Sequence, residues 1–281
     1  MEATVLWSLM VKMQNRLDSF KADVYSQFGE DGVIREIIRR TGLVVDNGFW
    51  CVEFGAWDGI HFSNTFALVE EFSAQVVMIE GDYEKFRALQ RTAEKHLSIF
   101  PVEGFVVGDY AHDDQPVSEL FTGRFNPAKI ASLDSLLSST PCPLDYDLLS
   151  IDIDSYDLET WAAHKEFKPK IVVIEVNSSL PPGILQWHGG RSVGNSFSST
   201  LEVAKAKGYS LVCHTGNMIF VRNDLAHLVE LDELDISFPE RLFNVGWLPA
   251  HRGPKNRLSR HPFIRFLQLR LQKELRHVLG A

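Results

Sequence analysis

Short apolar runs, each followed by a stretch with helical spacing, recur along this chain and limit its fold more than any other feature. They cover residues 49–55, 75–81, 105–108, 147–153 and 170–176. Rich in Val, Ile and Leu and without clean alternation, they read as strands buried on both faces, as in a parallel sheet. Helical patterns follow at 63–72, 83–96, 127–137 and 155–167, and flank the set at 30–40 and 197–207. The repeat is that of βαβ units. The last two strands, 209–214 and 218–222, are separated only by Thr215, Gly216 and Asn217. So short a connection makes a hairpin and therefore an antiparallel pair. The expected fold class is α/β: a Rossmann-like, doubly wound sheet, mostly parallel with a terminal antiparallel hairpin.

The organisation expected is an N-terminal helical extension over 1–24, one catalytic-size domain over 25–223 and a C-terminal helical appendage over 224–281. With 281 residues, 45% hydrophobic and 23% charged, the chain has ordinary globular composition and enough apolar side chains for a sizeable core. A formal net charge of -9 repels nucleic acid and anionic lipid. Between Arg252 and Arg276, however, eight Lys/Arg stand against the single acid Glu274, which reads as a solvated helix face or a docking face. Three scattered cysteines without metal spacing argue against a disulfide framework and a structural zinc site. No signal-like leader and no apolar stretch long enough to span a bilayer stand out. A cytoplasmic location with no membrane span is expected, and a homo-oligomeric state stays open.

The most informative segment is Cys51-Val52-Glu53-Phe54-Gly55-Ala56-Trp57-Asp58-Gly59. A buried strand ends in an acid and turns through two glycines toward a helix. Ligands of open α/β sheets bind outside such strand ends. Gly55 is expected to let a ligand approach the backbone closely, having no Cβ. The G-x-G-x-x-G order that cradles a dinucleotide pyrophosphate is absent. Acids flank the turn instead, and Glu53 and Asp58 repel pyrophosphate while suiting the ammonium and sulfonium charges of S-adenosyl-L-methionine. Glu80, at the end of the second strand, stands where ribose hydroxyls are accepted, or where an acid simply caps the following turn. Asp109, after the third run, is either a contact for the adenine amine or a solvated turn acid.

Four motifs in order resemble the FkbM-type class I methyltransferases. They are Tyr25-Ser26-Gln27-Phe28-Gly29-Glu30-Asp31, the segment from Glu53 to Gly59, Ser132-Leu133-Asp134-Ser135-Leu136 and Leu149-Ser150-Ile151-Asp152. The resemblance covers roughly 25–222. It implies the class I methyltransferase fold, S-adenosyl-L-methionine as cofactor, and O-methylation of a hydroxyl on a small-molecule acceptor, a sugar or natural product. It also implies a cofactor site involving Glu53, Gly55, Asp58 and Glu80, with Gln27 and Asp31 folded over it.

The string Asp152-Ile153-Asp154-Ser155-Tyr156-Asp157 departs from that family and looks more like the macrocin-type, metal-assisted sugar O-methyltransferases. Strand alternation predicts that Asp152 and Asp154 share a side, and likewise Glu175 and Asn177 on the next strand. Two readings follow. Asp154, Glu175 and Asn177 converge on Mg2+ that orients and acidifies a hydroxyl. Alternatively, Asp152 and Asp154 are helix caps and cofactor contacts with no metal. His188, on the Pro- and Gly-rich connection 180–194, is a candidate general base beside Asp154, or a solvated loop histidine. Trp57 and Trp187 are candidates to stack on a sugar or aromatic acceptor, with packing under the turn the alternative for Trp57. The rival functions are an NAD-dependent oxidoreductase and a non-catalytic methyltransferase-like binding module.

Overall fold

The structure, a computed structural model, describes residues 16–46, 48–108, 127–153, 156–188 and 194–245. Seven strands form one sheet in the order β3-β2-β1-β6-β7-β9-β8. They are β1 (Trp50–Phe54), β2 (Gln75–Glu80), β3 (Ile99–Glu103), β6 (Leu148–Ile151), β7 (Ile171–Glu175), β8 (Tyr209–His214) and β9 (Asn217–Arg222). The first five run parallel, whereas β9 is antiparallel to both β7 and β8. This is the doubly wound, mostly parallel sheet with a terminal antiparallel hairpin that the sequence predicts. A second, two-stranded parallel sheet joins β4 (Phe105–Val106) to β5 (Ile130–Ala131).

Alternation along the strands feeds two cores. Cys51, Val76, Met78, Leu148, Ile171, Val173 and Ile219 pack on one face. Val52, Phe54, Val77, Ile79, Leu149, Val172, Ile174 and Phe220 pack on the other. Both faces being buried explains the unbroken apolar runs. The helices α1 (Glu30–Thr41), α2 (Phe66–Phe72), α3 (Tyr83–Ala93), α4 (Leu133–Leu137), α5 (Asp157–Ala163) and α6 (Phe197–Lys207) are followed by two short ones, α7 (Asn223–Ala226) and α8 (Glu233–Ser237). Their ends follow local chemistry. Asp82 caps α3 by accepting from the Glu84 and Lys85 amides, and Ser196 caps α6, which stops at the left-handed Gly208.

The third strand differs from the expected 105–108. It lies at 99–103, and Phe105–Val106 leaves the main sheet for the small one. As an edge strand β3 tolerates Pro101, a residue that in sequence argues against a strand. The expected helix over 127–137 also resolves into a 3-10 turn at Pro127–Lys129, β5 and the one-turn α4.

The strand order reverses at β1. From it the sheet runs outward through β2 and β3 on one side, and through β6 and β7 on the other. The carboxyl ends of the central strands therefore open side by side, with Phe54 in register with both Ile79 and Ile151. That is a topological switch point, where ligands of open sheets bind. The N-terminal motif is fastened nearby. Buried Glu30 accepts from the Phe28 amide at 2.8 Å and from the Thr215 hydroxyl and Asn217 side chain of the β8–β9 turn. The Phe28 ring lies over Gly216, whose missing side chain leaves the room it occupies.

Candidate active site

A cavity of about 440 Å³ opens at the switch point. Glu53, Glu80, Asp82, Asp152 and Glu175 line it, against one Lys, Lys85. Gln27, Gly55, Trp57, His61 and Phe62 line it too, and Ile79, Phe105 and Val106 give it an apolar end.

Glu53 points to the α1–α2 side of β1 and is buried. Its Oε2 accepts from the Ser63 and Thr65 hydroxyls at 2.6 and 2.5 Å, and its Oε1 from the Asn64 amide at 2.9 Å. Burial pushes its carboxyl pKa up, against the pull of those three bonds. The carboxylate thus organises the loop leading into α2 and retains one acceptor position. Glu80 accepts from the Trp57 amide at 2.8 Å and the Asp82 amide at 2.7 Å, one on each oxygen. It too is raised by burial. The Gly81 amide also contributes a hydrogen bond, and the carboxylate keeps an acceptor position for a ligand hydroxyl.

The turn after β1 has most of its amides committed. Those of Gly55 and Ala56 donate to the Ile79 carbonyl and that of Trp57 to Glu80. Ile60 and His61 donate to Asp58, and Asn64 to Glu53. A dinucleotide pyrophosphate relies on such amides being available. Here the Ile79 carbonyl and the Glu80, Asp58 and Glu53 carboxylates hold them.

Several expected residues have other duties. Asp58 turns its carboxylate into the turn and does not line the cavity. Gly55, at φ 78°, does line it, but the reason for glycine is internal: a Cβ would stand 1.8 Å from the Asp152 carbonyl oxygen. Asp31 is buried, and its Oδ2 accepts from the amides of Val24, Tyr25 and Ser26 at 2.8, 2.8 and 2.9 Å. That cradle fixes the loop from which Gln27 reaches the cavity.

The carboxylates at the ends of β6 and β7 are less concentrated than expected. Asp152 and Glu175 line the cavity, while Asp109 and Asp154 lie outside the described residues. Both β6 and β7 end before the positions at which alternation was to align the pairs, so it no longer governs Asp152 or Asn177. Asn177 instead accepts from the Ser179 amide and hydroxyl through Oδ1, at 3.0 and 2.5 Å. Among the described residues no three His, Cys, Asp or Glu side chains come together to hold a metal. His188 is away from the cavity lining: its amide donates to Glu159 at 2.9 Å and its ring packs on Tyr156 at 3.9 Å. Lys85, His61 and Phe62 line the cavity without having been expected there. Lys85 had a signal, its place in the first turn of the helix after the second strand; Phe62 had none.

No family model matches the chain, and no curated protein does. Among solved structures, it is similar to M. capricolum TrmK in complex with S-adenosyl-homocysteine (13% identity, 72% of this chain, 73% of that chain, TM-score 0.39). It is also similar to a SAM dependent methyltransferase from Aquifex aeolicus (12% identity, 69% of this chain, 87% of that chain, TM-score 0.36). A third is precorrin-6y C5,15-methyltransferase from Geobacter metallireducens GS-15 (11% identity, 72% of this chain, 90% of that chain, TM-score 0.39). Likeness this distant establishes nothing about activity. No helix among the described residues is long and apolar enough to cross a membrane.

Proposed function

We propose that this chain is an S-adenosyl-L-methionine-dependent methyltransferase acting on a hydroxyl of a small molecule, a sugar or natural product. The observation that carries the reading is the acid-rich cavity beside a turn whose amides are already held by Glu80, Asp58 and Glu53. Such a site repels pyrophosphate and attracts a cationic ligand.

The donor set fits that cofactor. Glu80 would accept a ribose hydroxyl at its remaining acceptor position, and the Ile79, Phe105 and Val106 end suits a flat base. Glu53 adds negative charge and holds the loop 63–65, while Gln27 closes the cavity from the N-terminal motif. When bound, the cofactor supplies a methyl group on a positively charged sulfur. The chain's part is then to align the acceptor oxygen and take its proton. Asp152 and Glu175 stand at this rim, and Asp154 is proposed as a further carboxylate for that proton. An acidic rim accepts hydrogen bonds from neutral hydroxyls and repels anionic acceptors, nucleic acid among them. Of the set expected to hold Mg2+, Glu175 lines the cavity, Asn177 Oδ1 accepts from Ser179 and Asp154 lies outside the described residues; were Mg2+ bound, these side chains would hold it and it would acidify the acceptor hydroxyl. His188 serves the acceptor side only if its loop brings the ring over the cavity.

Calorimetry with S-adenosylhomocysteine and with NAD+ tests this. Binding of the former and none of the latter is expected, and Glu80→Ala should weaken it by about 10- to 100-fold, the range for lost hydrogen bonds to a charged group. NAD+ binding with no affinity for S-adenosylhomocysteine overturns the proposal.

A further inference from the structure

Four non-glycine residues among those described have positive φ: Trp57 (49°), Phe62 (59°), Ser73 (57°) and Glu230 (57°). Two have a structural reason. Ser73 ends α2 and Glu230 ends the 3-10 turn His227–Val229, where a left-handed residue closes a helix. Trp57 and Phe62 end no helix. Both side chains are large, apolar and exposed, at 43% and 46%, so neither repays its backbone strain by filling the core. Both line the same cavity. Strain retained at exposed aromatic residues on a cavity rim points to use.

The side chains between them make the rim continuous. The Trp57 ring meets His61 edge-on at 5.0 Å, and His61 lies 3.8 Å from Phe62. The Lys85 ammonium stands 4.7 Å from the centre of the Trp57 ring and braces it. The Trp57 amide is tied to Glu80, which fixes the turn under the ring.

We propose that Trp57 and Phe62 form a stacking lip that binds a flat ring of the methyl acceptor, and so select ring-bearing acceptors. Rings of this kind offer either an aryl face or the C–H face of a pyranose, and both stack on exposed aromatic side chains. The assignment to an acceptor rests on the methyltransferase reading; the lip itself does not.

Phenyl β-D-glucopyranoside carries both kinds of ring and serves as the probe, followed by saturation-transfer NMR with S-adenosylhomocysteine present. Saturation of its ring protons by the wild-type protein is expected, and the aryl or sugar signals report which ring is taken. Trp57→Gly and Phe62→Gly should each weaken the probe roughly three- to tenfold, the worth of one aromatic contact. Trp57→Phe should keep it. Because glycine is at ease with positive φ, both glycine variants should melt at or above the wild-type temperature with S-adenosylhomocysteine affinity unchanged. No saturation in the wild type overturns the lip, as does equal saturation in the glycine variants. Variants that melt lower and bind S-adenosylhomocysteine less overturn it too, because the two rings would then serve the fold or the nucleoside. If the wild-type protein does not bind S-adenosylhomocysteine but takes the probe in a Trp57-dependent way, the methyltransferase reading falls and the lip stands.

Discussion

Gly55 carries two constraints that act together. Its φ of 78° is left-handed, and the Asp152 carbonyl oxygen would lie 1.8 Å from any Cβ placed there. An alanine would meet the left-handed penalty and would also push β1 from the end of β6. Gly55→Ala is expected to destabilise the protein by about 2–5 kcal/mol, combining those costs. Urea unfolding measures it, and a loss below about 1 kcal/mol would mean that the strand ends part easily. The residue type was readable from the chain, but its cause was not. A glycine after a strand suggests close approach, and only the tertiary arrangement shows the neighbour to be the protein's own backbone. Glu53 teaches the same lesson. An acid at the end of a strand was legible as a site residue; that its oxygens would be engaged by Ser63, Asn64 and Thr65 depends on how the following loop turns back.

At the scale of elements, the segment Tyr25–Asp31 acts as a clasp. Asp31 gathers three amides from residues 24–26, and Glu30 reaches Thr215 and Asn217 in the turn of the hairpin, far along the chain. Removing the Asp31 carboxylate leaves those three donors without their acceptor. Asp31→Ala should therefore speed amide exchange at Val24, Tyr25 and Ser26 and cost on the order of 2–4 kcal/mol. Exchange as slow as in the wild type would show that the loop does not depend on Asp31. The motif was visible in sequence as polar residues opening a helix. Its partner was not, because nothing local to residues 25–31 encodes contact with the hairpin. Edge strands were also poorly legible. Pro101 interrupts β3 and reads as a strand breaker, a place only an edge strand allows, so its position slipped to the next apolar run.

The fold as a whole buries a histidine whose charge it cannot accommodate. His214 takes a bond from the Asn244 amide at 2.9 Å, pairs with the Ser178 hydroxyl at 2.9 Å, and is pushed down to about 3 by burial, with Lys21 adding to the effect. The unfolded chain takes up this proton near pH 6.5, the folded chain only near pH 3. Stability therefore falls as pH drops through that window, by about 2 kcal/mol between pH 7 and pH 5. Glu53 and Glu80 act in the opposite sense, since burial raises them and their protonation favours the folded state on acidification. Comparing wild type with His214→Gln isolates the histidine: the variant should lose less stability between pH 7 and pH 5. Equal losses in urea unfolding at the two pH values would remove His214 as the cause.

The amino-acid sequence alone determined the class of fold, because strand burial and helix amphipathicity are written in local periodicity. It also determined the hairpin, the acids at the strand ends and the absence of a glycine pattern for pyrophosphate. The tertiary structure decided which carboxylates face a ligand and which hold the protein's own amides. It likewise set the strain of Trp57 and Phe62, and left His188 and Asn177 out of the cavity lining. The division has one physical cause. Hydrophobic periodicity is a property of neighbours along the chain, whereas the pairing of a buried donor with its acceptor is fixed only when distant segments pack together.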